Sequence, residues 1–173
     1  MTPNTYLLTL AALAVSFVGF STLVITLRQT AGGALSLLDA FLMRTFIQLG
    51  FLVVAGALLP PLLSLSPLEA VQIWRLASLA VSVPALFFAI TYPSRRQFVF
   101  GKRTPTSIYT DVAVLSGAGL LLVLNASGLV FAPGAFVFAA SLTLILCLSG
   151  WAYLQALTLL LREHLSHSDG RGE

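Results

Sequence analysis

The sequence predicts an all-α integral membrane protein, a bundle of five transmembrane helices with the N-terminus outside and the C-terminus inside. Three observations lead to this fold class. Of the 173 residues, 58% are hydrophobic and only 9% are charged, whereas soluble domains carry about 25% charged residues. The few charges leave long uncharged gaps, and the bases concentrate in alternate connections. The chain therefore has room for one helical bundle and no soluble domain.

The helices follow from the gaps between charges. Uncharged stretches cover 1–27, 45–68, 76–94 and 112–161, and a spanning helix needs roughly 20 apolar residues. The last gap holds two helices, separated by a turn at Ala132-Pro133-Gly134. The predicted helices lie near 5–28, 37–59, 67–92, 107–131 and 134–162, and 163–173 form a short polar cytoplasmic tail.

Capping patterns predict where the helices begin. Ser36 is followed three residues later by Asp39, and Ser66 by Glu69, the spacing of a hydroxyl and an acid in a capping box. Thr2-Pro3 and Thr104-Pro105 place a proline where a first helical residue needs no N–H. The first helix carries no base before Arg28, so we expect it to remain as a span and not to be cleaved as a signal peptide.

Prolines predict where the helices end. Pro60-Pro61 should terminate the second helix, and Pro93 should terminate the third, because proline removes a backbone donor. The longest connection would then be 93–108. Pro84 lies inside the third helix and predicts a kink, either static or a hinge.

The distribution of bases predicts the orientation. One set of connections holds most of the Lys and Arg residues, and the opposite set holds only Arg75. By the positive-inside rule this asymmetry favours N-out and C-in. The small size and short connections of the chain suggest a multi-pass protein of a cell membrane, with a bacterial inner membrane as the first expectation. The bases on the predicted inner side are Arg28, Arg44, Arg95, Arg96, Lys102, Arg103, Arg162 and Arg171.

Three acids stand near predicted helix starts, namely Asp39, Glu69 and Asp111. A carboxylate there meets unpaired backbone N–H groups and the positive end of the helix dipole. We therefore interpret all three as helix-capping acids. The alternative is a proton relay or cation site, which would need acids spread through the depth of the bilayer.

Arg44 and Gln48 are four residues apart and share nearly one face of the second helix. Together they can present a guanidinium fork and an amide to an anion or to a carbonyl of another helix. In the other interpretation Arg44 extends to lipid headgroups and Gln48 bonds across a helix interface. Asp39 lies roughly 140° around the helix from Arg44, so a salt bridge between them is not expected.

Arg75 and Asn125 should lie at similar depth on the third and fourth helices, near Gln72 and Trp74. A contact between Arg75 and Asn125 would satisfy both polar groups. It would serve either as packing between helices or as part of a polar cavity. Arg44, Gln48, Arg75 and Asn125 form the candidate polar or anion cluster.

Several chemistries find no support in the sequence. His164 and His167 are three residues apart in the tail, but two histidines without a third ligand are weak evidence for a metal. Cys147 is the only cysteine, which excludes a disulfide within the chain. Since no nucleotide or hydrolase motif is found either, we expect no cofactor, no metal, no nucleic-acid partner and no enzyme activity.

The leading functional hypothesis is a non-catalytic structural or accessory role in a membrane complex. Small residues four apart, such as Ala12 and Ser16, allow helices to approach closely. The expected partners are the lipid bilayer and either a second copy or another membrane protein. The alternative is a homo-oligomeric, anion-leaning channel or permeation protein, in which Arg44 and Arg75 attract negative charge.

Overall fold

Five helices make up the part of the chain that the computed structural model describes, residues 2–30, 37–100 and 106–169, and no strand occurs there. Each helix is long and apolar enough to span a membrane. The prediction of an all-α bundle with five such helices is confirmed. The helices are α1 (Pro3–Thr30), α2 (Leu37–Leu63), α3 (Ala70–Phe100), α4 (Thr106–Ser127) and α5 (Ala135–Asp169).

Consecutive helices run in opposite directions, as the pairs Phe41–Tyr92 and Gly56–Val81 show for α2 and α3. Helix α2 contacts α1, α3 and α5. The pairs of contacting residues give the directions. Along α1 and α5, Tyr6 bonds to Thr143 and Phe17 packs against Tyr153, so these two helices are parallel. We call the end of the bundle where α2 begins and α3 finishes the arginine end, and the opposite end the asparagine end.

Glycines let α2 approach its neighbours closely. A Cβ atom at Gly56 would lie 2.8 Å from a methyl group of Val81 on α3 and 3.0 Å from one of Leu142 on α5. The position that a Cβ atom would take at Gly50 is likewise occupied by a methyl group of Val18 on α1. Because small residues let apolar helices approach closely, these glycines allow α2 to pack tightly against α1, α3 and α5.

Two helix starts show how the capping predictions fare. α1 begins at Pro3, and the Thr5 N–H donates to the Thr2 hydroxyl, as expected of an N-cap. α3 begins three residues later than predicted, since its first backbone bond goes to the carbonyl of Glu69 and the Glu69 N–H donates to the Gln72 side chain. Ser66 instead donates its hydroxyl to the Leu63 carbonyl at the end of α2.

Prolines do not end helices where the sequence predicted. α2 passes through Pro60 and Pro61, and the Ser64 N–H bonds to the Pro60 carbonyl at 2.9 Å. α3 passes through Pro93 and continues to Phe100. Breaking a helix exposes many backbone groups, whereas one proline removes a single donor, so apolar helices tolerate it. Arg95 and Arg96 consequently lie on α3 and not in a connection over 93–108.

The last two helices also depart from their predicted limits. α4 ends at Ser127 and not near 131, because Gly128 takes a left-handed conformation, with φ of 69°. α5 continues to Asp169, so most of the predicted tail extends the helix. The side chains of His164 and His167, and residues 170–173, lie outside the described part of the structure.

The glycine contacts give a test of the packing. We expect Gly56→Val to lower the free energy of unfolding by about 1–3 kcal/mol, because its side chain must displace Val81 and Leu142. Gly117→Val is the matched control, since nothing lies within 4 Å of a Cβ there, and its effect should stay within about 0.5 kcal/mol. Unfolding in detergent or bicelles measures both, and equal losses would contradict the described packing.

Candidate functional site

A cleft of about 520 Å³ lies between α2 and α3 at the arginine end. We call it the arginine cleft. Both predicted residues of this end, Arg44 and Gln48, line it. The full lining is Phe41, Arg44, Thr45, Gln48, Phe88, Tyr92, Ser94 and Arg95.

Polar side chains from both helices form the rim of the arginine cleft. Arg44 and Gln48 are exposed on α2, one helical turn apart. Ser94 and Arg95 are exposed on α3 across from them. The guanidinium of Arg95 also lies over the ring of Phe87, 6.0 Å from its centre. Arg95 thus remains beside an apolar surface while its donors stay accessible.

Aromatic rings form the floor of the arginine cleft. The Tyr92 ring lies 5.5 Å from Phe41 on α2 and 5.7 Å from Phe88 one turn away on α3, measured between ring centres. Tyr92 is buried, and Phe41 and Phe88 are half-buried. The cleft therefore has the cationic groups of Arg44 and Arg95 at its rim and aromatic rings at its floor.

Sequence reasoning missed the α3 half of this cleft. Phe88, Tyr92 and Arg95 are spaced four and three residues apart, which places them on one face of a helix. That periodicity was available in the sequence. It was overlooked because Pro93 was interpreted as the end of the helix, which moved Arg95 into a loop.

Asp111 lies behind the arginine cleft and not at a helix end. It is the sixth residue of α4, beyond the first turn, which contains no acid, and it is half-buried. A small cavity of about 30 Å³ beside it shares Thr45, Phe88 and Tyr92 with the arginine cleft. The interpretation of Asp111 as a capping acid is therefore corrected, because the backbone N–H at that depth already bonds within the helix.

The other two predicted capping acids have different outcomes. Glu69 occupies the N-cap position of α3, and its N–H donates to the side-chain oxygen of Gln72. Asp39 is the third residue of α2, but its side chain lies outside the described part of the structure. The capping role of these two carboxylates stays a prediction.

Asn125 fastens three helices together at the asparagine end. Its amide nitrogen donates to the Ser78 hydroxyl at 2.8 Å and to the Gly134 carbonyl at 3.2 Å, and its oxygen accepts the Gly134 N–H at 3.0 Å. Asn125 is fully buried. We call this group of Ser78, Asn125 and Gly134 the asparagine knot. It joins α3, α4 and the start of α5.

Arg75 lies beside the asparagine knot without joining it. Its guanidinium is near Gly128, 3.3 Å from the position a Cβ would take there, and its side chain is exposed. The bonds of Asn125 go to Ser78 and Gly134, so the predicted Arg75–Asn125 pair does not form. Asn125 acts as packing between helices, one of the two roles the sequence left open.

The four predicted cluster residues consequently fall into two groups. Twenty residues separate Arg75 from Arg95 along α3, roughly 30 Å at 1.5 Å per residue. Arg44 and Gln48 lie at the arginine end, and Arg75 and Asn125 at the asparagine end. Within one chain they do not form one site.

The chemistry open to the arginine cleft is the binding of negative charge. Guanidinium groups donate in a fork that matches phosphate and carboxylate oxygens. Among the described residues, no group of three or more His, Cys, Asp or Glu side chains stands close enough to hold a metal ion. Comparisons of the chain with protein-family models, with curated proteins and with solved structures found no match.

The asparagine knot predicts a clear stability effect. We expect Asn125→Ala to lower the free energy of unfolding by about 2 kcal/mol, because one bond to α3 and two bonds to Gly134, the residue before α5, are lost at roughly 0.6 kcal/mol each. Ser127→Ala is the control, since Ser127 is exposed and donates to its own helix. Unfolding measured in mild detergent compares the two. An unchanged Asn125→Ala protein would mean that the knot does not hold the helices.

Proposed function

We propose that this chain is a small, non-catalytic accessory protein of a membrane complex, inserted N-out and C-in, with a bacterial inner membrane as the expected location. The observation that carries the proposal is an outward face of small residues on α1, together with a bundle interior that is filled. The first offers a surface for another helix. The filled interior leaves few polar side chains available for binding or catalysis.

The interior supports this proposal because most of its buried serine hydroxyls are bonded within the bundle, the buried hydroxyl of Ser149 being without a hydrogen-bond partner among the described residues. Ser21, Ser82 and Ser141 are buried, and each donates its hydroxyl to a carbonyl of its own helix. Large apolar side chains fill the layers around them, including the fully buried Phe46 and Phe138. Among the described residues, the interior is packed mainly with apolar side chains.

The outward face of α1 supports an association with another helix. Ala12, Ser16 and Gly19 are exposed and follow one line along the helix. Nothing lies within 4 Å of a Cβ built at Gly19, and the Ser16 hydroxyl is already bonded to the Ala12 carbonyl. These small residues, between the exposed Leu8 and Leu23 on the same side of the helix, let a second helix pack closely. We call it the α1 face.

The alternative proposal is a homo-oligomeric channel that favours anions. The gathering of Arg44, Gln48 and Arg95 in one cleft favours it, because fixed positive charge attracts anions. However, the exposed face of α2 beyond Gln48 is apolar at Phe51 and Leu58. A pore between copies would therefore have an apolar lining along α2, and the accessory role has the better support.

The proposed orientation is tested by topology reporters. After Glu173, a reporter that works only in the cytoplasm should be active. At Pro133, a reporter that works only outside the cytoplasm should be active. Both expectations follow because the bases concentrate at the arginine end. Paired phosphatase and fluorescent-protein fusions measure both positions. The opposite pattern of activities would overturn the proposed N-out and C-in arrangement.

The α1 face is tested by adding bulk to it. We expect Ala12→Leu to weaken association on the order of tenfold, because overpacking a close helix interface costs about 1–3 kcal/mol. Ala80→Leu is the matched control, since Ala80 is an exposed small residue on α3. Native mass spectrometry from mild detergent measures the fraction of protein in complexes, and a free monomer in the unmodified protein would count against the accessory role.

A further inference from the structure

We infer that the arginine cleft binds the phosphate headgroup of an anionic phospholipid, with the acyl chains running along the bundle. This inference concerns the opposite end of the molecule from the asparagine knot. It does not depend on the accessory role of the α1 face.

The charge around the arginine cleft is suited to an anionic headgroup. Its described lining holds Arg44 and Arg95 and no carboxylate. Two further charges lie near the Tyr92 hydroxyl, Arg96 and Asp111. The three arginines and one acid leave a net positive charge. Asp111 lines the smaller cavity, which shares Tyr92 with the arginine cleft.

Hydrogen-bond donors surround the same space. The guanidinium groups of Arg44 and Arg95 can each present a pair of N–H donors to phosphate oxygens. Gln48 adds an amide, and Ser94 adds a hydroxyl that can bond to a polar headgroup such as glycerol. The volume of about 520 Å³ lies within the range of small-molecule sites, about 300–1,000 Å³.

The depth of the cleft favours a lipid. Arg44 is the eighth residue of α2, and Arg95 lies five residues before the end of α3. Both arginines therefore lie within about two turns of a helix end on the same side of the bundle, and their long side chains can reach the headgroups from there. Basic pockets between transmembrane helices at this level bind anionic lipid headgroups.

The aromatic floor distinguishes a lipid from a free anion. Phe41, Phe88 and Tyr92 line the cleft beneath the polar rim. A soluble phosphate gains nothing from apolar rings, whereas the glycerol backbone and upper acyl chain of a lipid bury apolar surface against them. On the outer side of α3, Phe87 and Ile90 are exposed and continue the apolar surface away from Arg95.

The test is a lipid titration followed by native mass spectrometry of the full chain. The unmodified protein should bind phosphatidylglycerol more tightly than phosphatidylcholine with the same acyl chains. We expect the Arg44→Gln, Arg95→Gln protein to bind phosphatidylglycerol on the order of tenfold more weakly, because two charged contacts are lost. Arg75→Gln is the matched control, with an exposed arginine removed at the asparagine end, and its affinity should be unchanged.

Competition separates a lipid from a soluble anion. Millimolar inorganic phosphate or glycerol phosphate should leave phosphatidylglycerol bound, because neither competitor carries acyl chains. Complete displacement by either of them would overturn the proposal in favour of a soluble-anion site. Equal binding by the double variant and the unmodified protein would overturn it as well, as would an equal loss in Arg75→Gln.

Photo-labelling of the unmodified protein keeps the proposal testable even if the double variant does not fold. A phosphatidylglycerol analogue with a photoreactive group near its headgroup should label the cleft residues Phe41, Gln48 or Phe88. Labelling confined to other parts of the chain would overturn the proposal. The Arg44→Lys, Arg95→Lys protein, which keeps the charge but loses the forked donors, should bind with intermediate affinity.

Discussion

The chain can cross an apolar layer only if nearly all of its backbone and side-chain polar groups find partners within the protein, and the rest of the structure depends on this constraint. Serine and threonine hydroxyls bond to carbonyls of their own helices, as at Ser21 and Thr91. Asn125, which has too many donors and acceptors for its own helix, bonds to two other elements. The described charged groups lie within about two turns of the helix ends.

The sequence was sufficient to predict the number and character of the helices. Uncharged gaps are a direct consequence of the cost of burying charge, so they mark spans without knowledge of tertiary contacts. The capping pattern at Thr2-Pro3 is equally local and was predicted correctly. The shared position of Arg44 and Gln48 was also predictable, because it depends only on the helical repeat.

Features that depend on contacts between helices could not be predicted in this way. The helix limits at Pro60-Pro61 and Pro93 were misjudged, because the rule for soluble helices ignores the cost of exposing backbone inside an apolar bundle. The partners of Asn125 depend on how closely α3, α4 and α5 approach. The arginine cleft likewise required α2 and α3 to be side by side, and local sequence patterns do not state which helices are neighbours.

The asparagine knot also has a mechanical consequence. Its three hydrogen bonds hold α3, α4 and the start of α5 at one point, so it serves as a pivot for these helices. The distance along α3 from Ser78 to Arg95 is roughly 26 Å, so a small tilt of α3 about that pivot is amplified at Arg95. The displacement grows with distance from the knot, so a tilt of α3 would change the width of the arginine cleft more than the packing around Asn125.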